Sequence, residues 1–161
     1  MIVKDEESYL QKCLEAARPF VDEIIIVDTG SKDKTKEIAK RYDARIFDFA
    51  WVDDFSEARN FSLSKATSDW ILVLDADEIV RPADLRRMID LISMKDYDAS
   101  TLRAINYTND KLQYGFHRLM EQKPEYHGFL GYIPHNAVRL FKNKKKVSYQ
   151  NPVHESVDAS I

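Results

Sequence analysis

The sequence predicts an α/β fold in which a mostly parallel sheet is flanked by helices. Short apolar, β-branched runs alternate with helical patterns through the first two-thirds of the chain, which is the order of a parallel sheet covered by helices. Polar residues come directly after several of these runs, as expected where strands end at a ligand crevice. With 161 residues, 44% of them hydrophobic, the chain can bury one substantial core.

Four strands are predicted in the first half of the chain. Ile2 and Val3 are the end of the first strand, and the others cover residues 23–27, 44–47 and 70–74. The run at 70–74 is the most apolar, so we expect it to be central in the sheet. Polar residues directly follow three of these predicted strands, at 4–6, 28–31 and 75–78.

Four helices are predicted between and after these strands. The first spans residues 6–17 and is closed by Pro19, and the third spans residues 57–66 with Ser56 as its cap. The second follows Asp33 as cap and presents Ile38, Ala39 and Tyr42 inward. In the fourth, which begins at Pro82, we expect one buried stripe made of Leu85, Met88, Ile89 and Ile92.

Composition and charge exclude several classes of partner. The chain has 24 Lys and Arg against 27 Asp and Glu, a net charge of -3, so we expect no nucleic-acid partner. No apolar run reaches the roughly 20 residues of a membrane-spanning helix, and the N-terminal MIVKDEES lacks the order of a signal peptide. A cytoplasmic protein without a transmembrane segment is expected. The single cysteine, Cys13, is predicted to be core.

The second half of the chain is less regular. Residues 99–105 and 137–141 are predicted strands, whereas residues 106–136 are mixed, aromatic and poorly periodic. Segments of that kind often belong to substrate binding. The lysine-rich run at 142–146 is predicted to be a solvated turn.

Three predicted strand ends carry polar residues, at 4–6, 28–31 and 75–78, and we expect them to share one crevice. Asp75 and Asp77 follow the most apolar strand and are separated by one residue. Both carboxylates can reach a single hard cation that also binds phosphate oxygens. Such a cation acts as a Lewis acid on a departing diphosphate. The alternative is that these acidic residues only end a strand and cap a helix.

Six motifs occur in a characteristic order: MIVKDEE, VDTGSKDKT, WVDDFSEARNFSL, WILVLDADE, NAVRLFKN and VHES. In these motifs the chain resembles the GT-A (Rossmann-like) glycosyltransferases of family 2, particularly a bacterial subgroup often joined to tetratricopeptide repeats. The resemblance covers nearly the whole chain. It implies a metal-dependent transferase whose DXD motif is Asp75 to Asp77.

The resemblance implies a donor site that binds a nucleoside-diphosphate-sugar. Asp28 would contact the base or the ribose, and Arg59 and Asn60 would lie near the nucleotide or the sugar, because a guanidinium can bind two oxygens at once. The other residues implied in donor binding are Val3, Lys4, Asp5, Glu6, Asp75 and Ala76.

The cofactor implied by the resemblance is Mn²⁺ or Mg²⁺. Asp75 and Asp77 would hold the ion, and His154 of VHES would be a further ligand, since manganese accepts imidazole alongside carboxylate. For each residue there is a structural alternative, in which Asp28 is a turn cap, Arg59 is a salt-bridge partner and His154 is an ordinary histidine.

The resemblance also implies inversion at the anomeric carbon, which needs a base to take the acceptor's proton. Glu155 is the candidate base because it adjoins the expected ligand His154, with Asp110, Glu121 and Glu125 as alternatives. Acceptors in similar enzymes include saccharides, lipid-linked groups and peptides. Residues that could stack on an acceptor are Tyr107, Tyr114, Phe116, Tyr126, Phe129 and Tyr132. A homo-oligomer is left open.

We expect a single domain over residues 1–161, with a nucleotide-binding half at 1–95 and an acceptor-side half at 96–161. Family members usually carry more residues before MIVKDEE and after VHES. The first strand is therefore expected to be truncated and the acceptor half incomplete.

Parts of the sequence are also compatible with three other functions. A haloacid-dehalogenase-like phosphatase also places D-x-D after an apolar strand, but normally on its first strand and with Thr or Val where this chain has Ile79. A nucleotidyltransferase should begin with a glycine-rich phosphate loop, and MIVKDEES has no glycine. The remaining alternative is a non-catalytic or inactive module that keeps nucleotide and metal binding.

Overall fold

A computed structural model describes residues 1–94, 97–144 and 146–157, with the side chain of Glu125 excepted. Residues 95 and 96, where the sequence divides the two predicted halves, lie outside the described residues, as does Lys145 in the predicted lysine-rich turn. The described chain forms two compact units. One consists of residues 1–100 with the segment that begins at Arg139, and the other is residues 101–138.

The first unit contains a parallel sheet of three strands in the order β1-β2-β3. These strands are β1 (Ile2–Val3), β2 (Ile25–Asp28) and β3 (Arg45–Asp48). Val3 pairs with Asp28, and Asp28 pairs with Asp48, so all three strands end at the same level. The α/β fold with a parallel sheet is confirmed, and its first strand is short.

Helix α1 (Leu10–Ala17) begins later than the predicted residue 6. The carbonyl oxygen of Glu6 accepts hydrogen bonds from the amides of Tyr9 and Leu10 in a turn. The amide of Glu6 donates to the Thr35 hydroxyl at 2.7 Å, and this bond ties the loop after β1 to the start of α2. The face of α1 that contains Cys13 is buried as predicted.

Helix α2 (Thr35–Lys40) buries Ile38 and Ala39 as predicted. The N-cap position belongs to Lys34, so the cap assigned to Asp33 is wrong by one residue. Asp33 instead holds two segments together. Its Oδ1 accepts a hydrogen bond from the Thr35 amide and its Oδ2 accepts one from the Glu7 amide, each at 2.9 Å.

Helix α3 (Phe55–Lys65) is capped by Asp54, so the cap assigned to Ser56 is wrong. Asp54 has an extended backbone, and its Oδ1 accepts hydrogen bonds from the Glu57 amide at 3.2 Å and from the Ser56 hydroxyl at 2.7 Å. A carboxylate satisfies an amide of the first turn and also suits the positive end of the helix dipole. Arg59 lies in the helix that follows this cap.

Strand β4 (Trp70–Leu72) is shorter than the predicted run 70–74, although Val73 and Leu74 are buried. It pairs antiparallel with the end of β7 (Gly131–Lys142), placing Leu72 opposite Leu140. Within the described residues β4 is hydrogen-bonded to no strand of the parallel sheet, so the prediction that it is central in the sheet is wrong. The ladder continues one step further, because the Val73 amide donates to the carbonyl oxygen of Arg139 at 2.7 Å. Arg139 therefore lies beside the segment that leads into Asp75.

Glu23 holds the loop that precedes β4. Its carboxylate accepts hydrogen bonds from the amides of Thr67 at 2.6 Å and Ser68 at 2.8 Å. Burial by itself raises the pKa of Glu23, but these hydrogen bonds outweigh it and lower the pKa to about 2. The loop before β4 is thus fastened to the start of β2.

Helix α4 (Pro82–Ile92) begins with proline in its first turn, as predicted. Leu85 is 2% exposed, but Ile89 is 43% exposed, so the prediction that the whole stripe is buried core is wrong. Met88, Ile89 and Ile92 line an apolar cavity of about 360 Å³ that Trp70 also lines. The apolar face of α4 therefore borders this cavity.

The second unit contains most of β5 (Ala99–Thr108) and of β7, with β6 (His117–Arg118) paired to the start of β7. Both long strands extend beyond the predicted runs 99–105 and 137–141. Gly131 has no room for a side chain, because an added Cβ would lie 2.3 Å from the Phe116 ring. Among the described residues, none of the helices combines the length and the apolar character needed to cross a bilayer.

The chain returns to the first unit with a short hairpin of β8 (Tyr149–Gln150) and β9 (Ser156–Val157). The loop between these strands contains His154 and Glu155. Asn151 and His154 have positive φ, at 77° and 56°, so the loop is tightly folded. Asn60 of α3 holds the first strand, since its side chain bonds both the amide and the carbonyl of Tyr149, at 2.7 and 2.9 Å.

We expect Leu85→Ala to lower the free energy of unfolding by about 3 kcal/mol, because it removes most of a side chain that is only 2% exposed. The matched variant Ile89→Ala should cost about 1 kcal/mol or less, because Ile89 already borders solvent. Urea denaturation of both variants measures the two values. Equal losses would show that Ile89 is packed as core.

Candidate functional site

A cavity of about 490 Å³ opens at the carboxyl end of β1 in the first unit. Its walls come from the ends of β1 and β4, from α3 and the segment before it, and from the loop between β8 and β9. The sequence-predicted residues that line it are Val3, Lys4, Glu6, Arg59, Asp75, Ala76, Asp77, His154 and Glu155. Thr29 after β2 also lines the cavity, so residues from five of the six motifs lie around one space.

Asp28 and Asp5 do not line this cavity. Asp28 is 1% exposed, and its Oδ2 accepts hydrogen bonds from the amides of Gly30 at 3.2 Å and Ser31 at 3.1 Å. Burial raises the pKa of Asp28, but these bonds and Lys36 outweigh burial and lower it. Asp5 accepts a hydrogen bond from the Lys32 amide at 2.7 Å. Both carboxylates shape the loops that surround the cavity.

Asn60 also lies outside the cavity lining, next to Arg59 in α3. Its two bonds to Tyr149 use both its amide oxygen and its amide nitrogen. The side chain therefore joins α3 to β8. In that position Asn60 supports the loop that contains His154 and Glu155.

Arg59 and Arg139 hold the two oxygens of Asp75 between them. Arg59 Nη2 lies 2.8 Å from Asp75 Oδ1, and Arg139 Nη1 and Nη2 lie 3.2 and 3.1 Å from Asp75 Oδ2. Each arginine has a second carboxylate partner. Arg59 Nε donates to Glu155 at 2.7 Å and Arg139 Nη2 donates to Glu78 at 2.8 Å. The result is a continuous chain of five alternating charges.

The electrostatic effect of this network is visible at Asp75. Burial by itself raises the pKa of Asp75, but the guanidinium groups of Arg59 and Arg139 outweigh burial and lower the pKa. The Arg59 pKa is raised, because Asp75 and Glu155 outweigh the burial that lowers it. Asp75 is therefore ionised and fully engaged.

Asp77 is in a different environment, since its side chain is exposed. Burial raises the pKa of Glu6, and the negative charge of Asp77 adds to that effect. Burial also raises the pKa of Glu78, with Asp75 and Asp77 adding to it against Arg139. Glu6 and Asp77 both line the cavity, so two carboxylates that repel each other lie in this part of the site.

The predicted ligands Asp75, Asp77 and His154 all line the cavity, but they do not form a metal cluster. Among residues 1–94, 97–144 and 146–157, no three or more His, Cys, Asp and Glu side chains are placed to hold an ion together. Asp75 is occupied by two arginines, whereas Asp77 and His154 are exposed. Carboxylate and imidazole are donors that suit manganese, so these two residues fit such an ion.

Two aromatic residues that carry no motif signal for ligand binding, Trp51 and Phe55, also line the cavity. Trp51 and Phe55 meet edge to face with their ring centroids 4.8 Å apart. The Trp51 indole N–H donates to Asp53 at 2.8 Å, which fixes the ring. Arg139 lies in the motif NAVRLFKN, and residue type alone does not predict its contact with Asp75. Its antiparallel register against β4 is the signal that locates it.

Comparison with protein families matches residues 1–156 to the model described as glycosyl transferase family 2. A tetratricopeptide repeat-containing protein of Synechococcus elongatus is 38% identical over 162 residues, covering 100% of this chain and 35% of that protein. The glycosyltransferase SunS of the SPbeta prophage of Bacillus subtilis is 28% identical over 157 residues, covering 96% of this chain and 33% of SunS. The chain thus spans about a third of the length of these relatives.

Solved structures of similar fold cover about three-fifths of the chain. TarS of S. aureus has a TM-score of 0.54 at 20% identity, covering 61% of this chain and 32% of that one. Glucosyl-3-phosphoglycerate synthase of Mycobacterium tuberculosis, in complex with Mn²⁺ and UDP-glucose, has a TM-score of 0.52 at 22% identity, covering 61% and 39%. These structures confirm the predicted fold class.

Asp75 and Asp77 should differ in what they contribute to stability. Asp75→Ala is expected to lower the free energy of unfolding by about 2 kcal/mol, because it leaves two mostly buried arginines without their shared partner. Asp77→Ala should change it by less than about 0.5 kcal/mol, because Asp77 is exposed. Urea denaturation of both variants checks this contrast, and equal effects would contradict it.

Proposed function

Because this chain belongs to glycosyl transferase family 2, we propose that it transfers a sugar from a nucleoside-diphosphate-sugar to an acceptor at the cavity beside Asp75 and Asp77. The observation that carries the proposal is the position of this pair. One carboxylate is held by two arginines and the other is exposed, at the end of the strand that borders the cavity. The match to this family argues against the phosphatase and nucleotidyltransferase alternatives.

The cavity suits a donor that has a diphosphate. Its volume of about 490 Å³ falls within the usual range for small-molecule sites, roughly 300–1,000 Å³. Lys4 and Arg59 line it, and both are cationic groups that bind phosphate oxygens. We propose that Val3, Lys4, Glu6, Arg59 and Ala76 contact the donor.

Asp5, Asp28 and Asn60 are proposed to act on the donor through the loops they hold. Asp28 fixes the turn after β2, whose Thr29 lines the cavity. Asp5 joins this turn to the loop after β1, and Asn60 anchors the hairpin strand before His154. Loss of any of these contacts would change the shape of the cavity.

We propose that Mn²⁺ or Mg²⁺ is the cofactor, with Asp77 and His154 as its protein ligands. The mycobacterial synthase of similar fold binds Mn²⁺ with a UDP-sugar. When bound, the ion would neutralise charge on the departing nucleoside diphosphate. Ligation by Asp75, as the motif predicts, would place the ion beside the two guanidinium groups that bond the oxygens of Asp75.

The reaction is proposed to invert the anomeric carbon. The acceptor nucleophile forms a bond to that carbon while the bond from the carbon to the diphosphate oxygen breaks. The acceptor's proton passes to Glu155, which lines the cavity and is oriented by Arg59 at 2.7 Å. Asp110 and Glu121 belong to the second unit, and the side chain of Glu125 lies outside the described part of the chain.

The acceptor is proposed to be a saccharide, a lipid-linked group or a peptide, with the second unit contributing to its recognition. That unit presents Tyr114 at 99% exposure, whereas Tyr107 packs against Tyr126 and Phe129, with centroids 5.5 and 6.1 Å away. The mycobacterial synthase of similar fold has been solved in complex with phosphoglyceric acid. Binding without turnover would identify the chain as an inactive module of the same family.

Titration with UDP, GDP and CDP, each with and without Mn²⁺, tests the proposed donor site. We expect one nucleotide to bind at least about tenfold more tightly with Mn²⁺ than without it, because the ion offsets the diphosphate charge. Isothermal titration calorimetry measures the affinities. In Asp77→Ala the effect of Mn²⁺ should disappear, while a control variant at the exposed Glu37 keeps it. No binding of any nucleotide would refute the proposed function.

Glu155→Gln tests the proposed base. Glutamine can still accept a hydrogen bond from Arg59 but cannot take a proton, so transfer should fall by about a hundredfold or more. Nucleotide affinity should remain within about threefold, because the contact with Arg59 persists. Turnover is measured as release of nucleoside diphosphate from the donor sugar that binds. Full turnover in Glu155→Gln would rule this residue out as the base.

A further inference from the structure

Arg139 is held from two sides, by its backbone and by its side chain. Its carbonyl oxygen accepts a hydrogen bond from the Val73 amide at 2.7 Å, so its place relative to the acidic motif follows from the strand register. Its side chain is 14% exposed. The guanidinium bonds Asp75 Oδ2 through two nitrogens and Glu78 Oε1 through one of them. Arg139 therefore fixes one oxygen of Asp75.

Arg59 fixes the other oxygen of Asp75. Its side chain is 9% exposed, and its Nη2 lies 2.8 Å from Oδ1. The guanidinium carbon also lies 5.6 Å from the centre of the Tyr149 ring, a cation–π contact. Among the described cationic groups that contact Asp75, Arg59 is the one that lines the cavity as well.

A cation that bonded Asp75 in this arrangement would meet two guanidinium groups at close range. Like charges a few ångströms apart repel strongly where water is partly excluded. Asp77, two residues further along, carries no such pair and is exposed. The two carboxylates of the motif therefore face different electrostatic surroundings.

We propose that Arg139 is a positioning residue: it holds Asp75 as an anchor for Arg59, keeps Asp75 from ligating the metal ion, and leaves that ion to Asp77. Arg59, fixed between Asp75 and Glu155, then presents its charge to the diphosphate. This inference rests on the proposed function. In this arrangement Asp75 anchors Arg59, and Asp77 ligates the cation.

Removing the charge at position 139 should change two affinities in opposite directions. In Arg139→Gln, one oxygen of Asp75 is freed from a cation, so binding of Mn²⁺ alone should become about threefold to tenfold tighter. Binding of UDP in the presence of EDTA should become about threefold to tenfold weaker, because Asp75, the partner of Arg59, is then held from one side only and the charge beside the site becomes more negative. A general structural loss would weaken both.

Electron paramagnetic resonance of free Mn²⁺ measures the first affinity, and calorimetry measures the second. Arg139→Lys is the matched variant that keeps the charge, and its Mn²⁺ affinity should stay at the wild-type value. Adding Asp75→Asn to Arg139→Gln should abolish the gain, since the freed oxygen no longer belongs to a carboxylate. Arg45→Ala, which removes an arginine paired with Glu23 outside the cavity, should change neither affinity.

Circular dichroism establishes that each variant is folded. If Arg139→Gln does not fold, Asp75→Asn alone decides the question: a fall in Mn²⁺ affinity of more than about threefold would overturn the inference, and an affinity within about threefold of the wild-type value would support it, because Asp75 is then not a ligand of the ion. Unchanged or weaker Mn²⁺ binding in a folded Arg139→Gln would also overturn it. If the wild-type chain binds both UDP and Mn²⁺ in that experiment, the proposed function stands. If it binds neither, both proposals fail.

Discussion

The double ion pair at Asp75 is the interaction on which the site depends. Through Arg59 it connects the segment after β4 to α3 and to the hairpin loop that contains Glu155, and through Arg139 it connects that segment to β7. Partly buried ion pairs are favourable only when every charge has its partners. Here each arginine has two carboxylates, so the network specifies one arrangement of four separate segments.

Hydrogen bonds between loops complete this arrangement at the other strand ends. Glu6 bonds Thr35 and Asp5 bonds Lys32, which brings the loops after β1 and β2 together. Asp28 folds the second of these loops over its own carboxylate. Residues that a motif suggests as ligand contacts can therefore act one step away, by giving the cavity its shape. Whether such a residue contacts the ligand or shapes the cavity depends on where its side chain lies, and the residue type alone does not show this.

Local patterns predicted which segments form elements and were less accurate about where those elements begin. The α1 face, the helix start at Pro82 and the β2 run were all predicted, because burial imposes a period that the residues follow. The caps at Asp33 and Ser56 were misplaced, because several neighbouring polar side chains can satisfy the same amides. The prediction that Ile89 is core was wrong, because periodicity shows that a helix face is apolar but does not show what lies against that face.

The sequence by itself determined the α/β class, the family resemblance and most of the residues that line the cavity, because strand ends and short motifs are local in the chain. Only the tertiary structure decided that Asp75 is bound by two arginines while Asp77 is exposed. Arg59, Asp75 and Arg139 are separated by 16 and 64 positions. Their contact depends on the antiparallel register of β4 with β7 and on the packing of α3, which arise from interactions across the whole unit.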